Sequence, residues 1–588
     1  MLWRGYMARG YLAIVLHTHL PFVRHPEHDR PMEERWLHEA LFECYLPLLG
    51  AFDRLTQDGV RFAVTMSLTP PLAAMLRDPM LQERFDDHLG RLERLAESEI
   101  SRLEGDGYFQ PVARFYREHF AEVRAVWESI GHDVVGALAK WSDTGSVDLI
   151  TCSATHAYLP GFVSCPAALR AQLRLGKLAF QHLVGREAVG MWLPECAYDP
   201  VFDDEIRRAG IRYTVLDSHG VERARPRPPF GVHQPIISPS GTAFFARDAT
   251  SSRQVWAREV GYPGNPYYRD FYRDIGYDLE EKDLHGEIGP FGARVMTGLK
   301  YHRITGKTDV KEPYQPGVAR ARAEADGKDF VEKRRAQVAE LASTMPVPPI
   351  VVAPYDSELF GHWWFEGPLF LESVFRAADA AYREDEMVLP VTLRDYLERC
   401  PEALVATPTA SSWGAGGFGE VWVGPAAAPF WRHIHHASRA LPDLVTRYRG
   451  ATGLRGRALD LAIRELLLLQ TSDWPFILKT NTVNDYAEAR IRAHSSRLRA
   501  LTEIVERAEL TVADERYVDE LNTRDNFLHD LPSEQLRGAF ELAPASIIQA
   551  SPGPCLLWGR PPCPRGATPA PGRGAGRGRK RPAFRRRR

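Results

Sequence analysis

Short apolar runs that end in polar clusters recur along the chain. Tyr11–Leu16 opens onto His17-Thr18-His19-Leu20-Pro21-Phe22, and Val147–Cys152 opens onto Ser153-Ala154-Thr155-His156. Ala188–Leu193 opens onto Pro194-Glu195-Cys196-Ala197-Tyr198, Arg212–Leu216 onto Asp217-Ser218-His219, and Thr242–Ala246 onto Arg247-Asp248. Pro349–Ala353 opens onto Pro354-Tyr355-Asp356-Ser357-Glu358. With Phe62–Met66 these runs predict seven buried strands, because a strand covered on both faces reads as a continuous apolar run. Between them, apolar residues spaced by three and four predict helices over 34–55, 81–95 and 320–343. Strands alternating with helices imply an α/β fold, either a barrel or a doubly wound sheet. Polar residues after nearly every strand favour the barrel, whose chemistry sits at the C-terminal strand ends.

Beyond residue 398 the pattern becomes helical: 426–448, 454–470 and 485–507. The expected organisation is therefore a catalytic barrel over 8–398 and an all-helical domain over 399–530 that completes the cleft. The barrel includes an insertion near 220–312, where Trp256, Tyr262, Tyr267, Tyr268, Phe271, Tyr272 and Tyr277 crowd a loop rich in Gly and Pro. A loop that long is usually functional, and flat rings suit pyranose faces, although some of them must pack the loop itself.

The 588 residues exceed what one hydrophobic core serves, and 44% hydrophobic with 26% charged content is ordinary for a globular protein. No apolar run nears the roughly 20 residues that span a bilayer, and no signal peptide pattern opens the chain, so a cytoplasmic location is expected. Seven cysteines without a C-x-x-C pair argue against a disulfide framework or a zinc ribbon. The net charge of −2 conceals a division: Arg560 to Arg588 carries eleven Lys or Arg and no acid, leaving thirteen surplus negative charges in the remainder. The acidic body makes nucleic acid an improbable partner, and the Pro/Gly-rich basic tail over 545–588 reads as disordered by composition.

Glu195 follows a strand and a proline, between Trp192 and Tyr198; Asp356 follows a second strand beside Trp363 and Trp364. Two carboxylates at two strand ends, each flanked by rings, suggest a sugar-cleaving pair, with Glu358 a local competitor of Asp356. A lone acid is more often a solvated charge. His17 and His19 point the same way along a strand, either as hydrogen-bonded linings or as a metal pair, and no acid follows at His-x-His-x-Asp spacing. Gly414-Ala415-Gly416-Gly417-Phe418-Gly419 matches a dinucleotide fingerprint, but no strand precedes it and no helix evidently follows. It reads instead as a flexible loop between Trp413 and Trp422, two rings that could clamp a glucan. Asp473, at the end of a buried helix, is a helix-end acid or an acceptor for sugar hydroxyls.

Five ordered motifs, His17 to Phe22, Ser153 to His156, Trp192 to Tyr198, Pro354 to Trp364 and Ser472 to Phe476, resemble glycoside hydrolase family 57, specifically its 1,4-α-glucan branching enzymes. The resemblance covers roughly residues 8 to 530. It implies an incomplete (β/α)7 barrel with a C-terminal all-helical domain, Glu195 as nucleophile and Asp356 as general acid/base. It also implies substrate contacts at Arg269, Gly306, Trp413 and Asp473, with His19 and His156 lining the donor subsite. Trp192, Trp364 and Trp422 join the expected sugar-binding set, and neither a metal nor a cofactor is implied. The expected partners are α-1,4-glucan donor and acceptor chains. Two departures stand out: Thr482 where relatives often carry Gln, and His302 where a Trp or Tyr is expected. The rival readings are a hydrolase or 4-α-glucanotransferase of the same family, a zinc-dependent mannosidase or deacetylase built on His17 and His19, and a non-catalytic glucan binder.

Overall fold

The computed structural model describes residues 8–542 apart from Arg258. The basic tail expected over 545–588 lies outside the described residues. Seven parallel strands carry the fold: β1 (Gly10–Thr18), β2 (Val64–Leu68), β3 (Val147–Cys152), β4 (Met191–Trp192), β5 (Tyr213–Leu216), β6 (Ala243–Ala246) and β7 (Ile350–Asp356). All but the last residue of β7 are buried, as expected of strands with helices outside and side chains filling the centre. These are the seven strands predicted from the apolar runs, with β2 starting at Val64 and β4 at Met191.

Their order is β4-β3-β2-β1-β7, and β5 pairs with β6. Gly190, just before β4, bridges Tyr213 of β5. The amide of Asp248, just past β6, donates to the Val352 carbonyl of β7 at 2.8 Å. The strands thus come round on themselves as an incomplete (β/α)7 barrel. Central β1 sets the register of the mouth, placing His17 beside Ser67 of β2 on one side and Asp356 of β7 on the other. A short strand, Leu404–Val405, pairs with Ile236–Ile237 beside β6, so barrel structure continues a few residues past the expected boundary at 398.

The helices predicted C-terminal to the barrel occur as Ala428–Arg447, Gly453–Leu469 and Asn484–Glu506, and all described residues fall in one compact unit. The predicted helix over 34–55 is interrupted: Glu34–Glu39 and Leu46–Gln57 are α-helical, but Ala40–Tyr45 between them is a π-helix. Such widened turns are rare and favour functional positions, since one extra residue per turn re-aims the side chains. Here the turn turns Glu43 and Tyr45 toward the loops after β6 and β7. Gly361, in the β7 loop, crosses directly over it with φ +125°, and a Cβ there would lie 1.8 Å from the Glu43 carbonyl oxygen. Only glycine fits that crossing. No helix among the described residues is long and apolar enough to cross a membrane. Cys44, Cys152, Cys165, Cys196 and Cys400 are buried free thiols.

Candidate active site

Pro194 ends β4 and delivers Glu195 in the left-handed region, φ 64° and ψ 21°, followed by Cys196 at φ 50°. His156, past β3, also has positive φ, 56°. Left-handed non-glycine residues each cost on the order of 1–3 kcal/mol and persist where their surroundings fix them. The fixing contacts are visible: the Trp413 amide donates to the Glu195 carbonyl at 2.8 Å and the Ser472 amide to the His156 carbonyl at 2.9 Å. Both donors come from the segment after the barrel strands.

The Glu195 carboxylate accepts two hydrogen bonds, from Trp413 Nε1 to Oε2 at 2.7 Å and from Ser472 Oγ to Oε1 at 2.8 Å. Burial pushes its pKa up to about 7; the two donors pull the other way. Asp356 ends β7, half-buried at the mouth, and is pushed well above the usual carboxylate range by burial and then by the charges of Glu358 and Glu195. Glu358, on the next turn, accepts from the Tyr45 hydroxyl and from the His19 amide, and burial raises it too. Of the two acids at the mouth, Glu195 is the one whose ionised form is hydrogen-bonded.

A stack of rings floors the mouth. His17 lies flat on Trp192, with ring centroids 4.7 Å apart, and His156 lies on His19 at 3.8 Å. His17 is bonded through Nδ1 to Ser67 Oγ (2.6 Å) and through Nε2 to His156 Nε2 (2.9 Å). His19 is bonded to Thr69 Oγ1 (3.0 Å) and through Nε2 to Asp473 (3.2 Å). Because the nitrogens of both histidines are engaged with different partners, His17 and His19 do not converge as a metal pair. Burial would raise Asp473, but the adjacent His19, together with His156 and the Thr471 hydroxyl, holds the carboxylate low. Half-buried Trp413 meets Trp192 edge-on at 5.2 Å and Trp256, from the aromatic insertion, at 6.2 Å.

Glu195, Asp356, His19, His156, Trp192, Trp413 and Asp473 are thus linked around one mouth. Five expected site residues lie elsewhere. Trp364, 2% exposed, packs on Phe370 and Tyr268 in the core. Trp422, also 2% exposed, stacks on Tyr158, with centroids 5.4 Å apart, and leaves no face for a sugar. Arg269 is sealed in an ion pair with Glu43 at 2.7 Å, both side chains 2% exposed, with its guanidinium over the Phe365 ring. It fastens the aromatic insertion to the π-helical turn. Thr482 is exposed past the helix Asp473–Thr480, with its hydroxyl 3.4 Å from that of Thr480. Gly306 is exposed at φ 75°, its carbonyl accepting from Lys311. His302, the second departure, packs edge-on against Phe109.

The glycine-rich loop is a run of left-handed turns at Gly414, Gly416, Gly417 and Gly419, and a one-turn helix, Glu420–Val423, does follow it. The loop folds the Trp413 ring back onto Glu195 rather than cradling a phosphate. Sequence reasoning missed Ser472, Ser67 and Tyr45. A hydroxyl carries no periodic signal, and Tyr45 acts only because the helix widens beneath it.

Among the described residues one other group, Glu465, His494 and Asp525, brings ligand-type atoms together, deep between the C-terminal helices. Arg497 pairs with Asp525 at 2.5 Å and Arg490 approaches it to 3.8 Å, so the carboxylates already have cationic partners. That cluster is an internal ion-pair knot away from the mouth.

Residues 13–312 match the family model described as glycosyl hydrolase family 57, and residues 433–534 match one described as 1,4-alpha-glucan branching enzyme, C-terminal. A curated 1,4-alpha-glucan branching enzyme of Thermococcus kodakarensis is 32% identical over 550 residues, 88% of this chain and 77% of that protein. Among solved structures, the alpha-amylase AmyC from Thermotoga maritima superposes with a TM-score of 0.83 at 37% identity, covering 90% of this chain and 99% of the other. The GH57-type branching enzyme from Pyrococcus horikoshii superposes with 0.79 at 32% identity, over 90% and 97%. With the incomplete barrel, these matches along nearly the whole chain show that it belongs to glycosyl hydrolase family 57.

Proposed function

We propose that the protein is a 1,4-α-glucan branching enzyme working by retaining double displacement. Ionised Glu195 attacks C1 of an α-1,4-linked glucose; the C1–O4 bond breaks, and the leaving oxygen takes the proton of Asp356. The glucosyl unit is then held as an ester of Glu195. A C6 hydroxyl of another chain loses its proton to Asp356 and attacks C1, releasing Glu195 and forming an α-1,6 branch. Two carboxyl groups with unlike environments are what such chemistry needs: burial raises both, but two donors stabilise the ionised form of Glu195, while neighbouring charges push Asp356 further toward its protonated form. No cofactor enters this scheme. Trp413 and Trp256 offer flat surface beside the nucleophile, with Trp192 buried behind them under His17, favouring a sugar acceptor over water. Asp473 and His19 stand ready for hydroxyls of the donor glucose.

The observation that carries this reading is the stretch over 433–534, which matches the C-terminal model of branching enzymes and brings Ser472 and Asp473 onto the mouth. The similarity to AmyC, whose title names an alpha-amylase, favours a second reading in which water is the main acceptor. Linkage analysis of amylose after incubation with the purified protein separates the two. New α-1,6 linkages in excess of new reducing ends are expected; reducing ends without branches would establish the hydrolase.

A further inference from the structure

Four buried side chains lead away from Glu195 in single file. Ser472 Oγ bonds Glu195 Oε1 at 2.8 Å, His156 Nδ1 bonds Ser472 Oγ at 2.8 Å, His17 Nε2 bonds His156 Nε2 at 2.9 Å, and Ser67 Oγ bonds His17 Nδ1 at 2.6 Å. All four are at most 3% exposed. Chain topology sets the line, because Ser67 and His17 are lateral partners on β2 and β1 while the Ser472 amide is bonded to the His156 carbonyl past β3.

The proton count fixes its direction. An ionised Glu195 can only accept, so Ser472 spends its one hydrogen on Oε1, and its oxygen must receive Nδ1–H of His156. A neutral His156 then has a bare Nε2, which can only accept Nε2–H of His17. A neutral His17 in turn has a bare Nδ1, which accepts the Ser67 hydroxyl. Burial, and then the neighbouring histidine rings, keep both imidazoles well below their ordinary range, as neutrality requires. Every donor in the line points toward the nucleophile.

We propose that Ser67, His17, His156 and Ser472 form a one-way hydrogen-bond relay in which Ser67 and His17, two steps and more from any substrate atom, are positioning residues that lock the tautomers and so hold Glu195 in its ionised form. This rests on Glu195 being the nucleophile. Ser67 is the anchor: without its hydroxyl, no donor faces His17 Nδ1 to hold the proton on Nε2. The tautomers can then reverse, and Ser472 is no longer obliged to donate. Other titratable groups that act on Glu195 are His156, His19 and Asp473, with Asp356 across the mouth and Tyr158, Cys152 and Cys196 around it. Of these only His156, through its tautomer, is reached by a change at Ser67.

The test is the pH profile of fluoride release from an α-maltooligosyl fluoride, whose leaving group needs little protonation, so that the acid limb reports Glu195 rather than Asp356. Ser67→Ala is expected to move that limb to higher pH. At pH 6 kcat/KM falls about fivefold, the worth of one buried neutral hydrogen bond, while at pH 9 it matches the parent. Ser67→Thr, which returns the hydroxyl, restores the limb. His17→Phe, which keeps a ring on Trp192 but no nitrogen, shifts the limb in the same direction, and thermal melts report whether either variant is merely unstable. An unshifted limb in folded Ser67→Ala, or a loss equal at all pH values, overturns the relay. Glu195→Gln run in parallel separates the premises: if it still releases fluoride, the nucleophile assignment fails; if it is dead while Ser67→Ala is unshifted, only the relay fails.

Discussion

Glu195 and Asp356 differ in what supports their charged forms, and their roles follow from that difference. Glu195 has an indole N–H and a hydroxyl donating to it, whereas Asp356 faces two other acids, and burial opposes its ionisation. Chemical rescue distinguishes the roles. With azide and an α-glucosyl fluoride, Glu195→Ala should yield the β-azide, since azide replaces the missing nucleophile and inverts C1. Asp356→Ala should yield the α-azide, since azide then opens the enzyme-bound ester. Reversed products, read by NMR of the anomeric proton, would exchange the assignments. Either variant should lose at least about a thousandfold in kcat on amylose. The indole donor can be examined alone. Trp413→Phe keeps an aromatic face but removes the hydrogen bond to Oε2 that favours the charged carboxylate. Its loss raises the Glu195 pKa above about 7, so the acid limb moves up by about one pH unit and activity is lost below neutrality while being kept above it. A limb that stays in place in the pH–rate profile would show that Trp413 contributes stacking alone.

At the scale of elements, the strands were legible because burial on both faces leaves no room for polar residues. Six of the seven end in a polar cluster, which marks the barrel mouth in the sequence itself. Helices over 428–447, 453–469 and 484–506 were legible within two residues at each end from their spacing. The π-helical turn was not, since Ala40–Tyr45 keeps an apolar pattern that serves an α-helix equally well. Missing it misplaced Arg269. The family resemblance implies a sugar contact at Arg269, but the widened turn presents Glu43 to it and seals the pair. Trp364 and Trp422 failed for a related reason: a ring beside an acid, or flanking a glycine-rich loop, gives no sign in sequence of which face it turns to the core. The correction is testable. Arg269→Ala leaves Glu43 buried, facing only His362 and a distant ammonium, and should cost about 3–5 kcal/mol of stability, measured by urea denaturation. If Arg269 bound sugar directly, the same change would raise KM and leave the melting curve in place. Gly361→Ala should act in the same direction as Arg269→Ala, because its Cβ would drive the β7 loop off the Glu43 carbonyl.

At the scale of the whole molecule, the mouth is assembled from segments hundreds of residues apart, and the helices that follow the barrel are structural partners of the nucleophile. Gln172, on the helix behind β3, donates to Gln470 at 2.8 Å and to Thr155 at 2.9 Å, and Gln470 reaches Ser438 at 2.9 Å. Thr155 Oγ1 donates to the Leu467 carbonyl, while Trp474 is 1% exposed beneath the loop that carries Ser472 and Asp473. This buried amide and hydroxyl network is satisfied only when barrel and helices are docked, and each group left unpaired on separation would cost about 1–3 kcal/mol. Two domains joined by a loose linker would unfold in two steps, the helical one leaving the barrel intact. The network predicts a single transition instead: in urea, loss of activity, loss of near-UV circular dichroism from the Trp192 and Trp413 pair, and loss of helix content should coincide. Gln470→Ala should move all three midpoints down together, and a variant in which activity is lost at lower urea than helix content would show that the helices dock on the barrel as a separable unit.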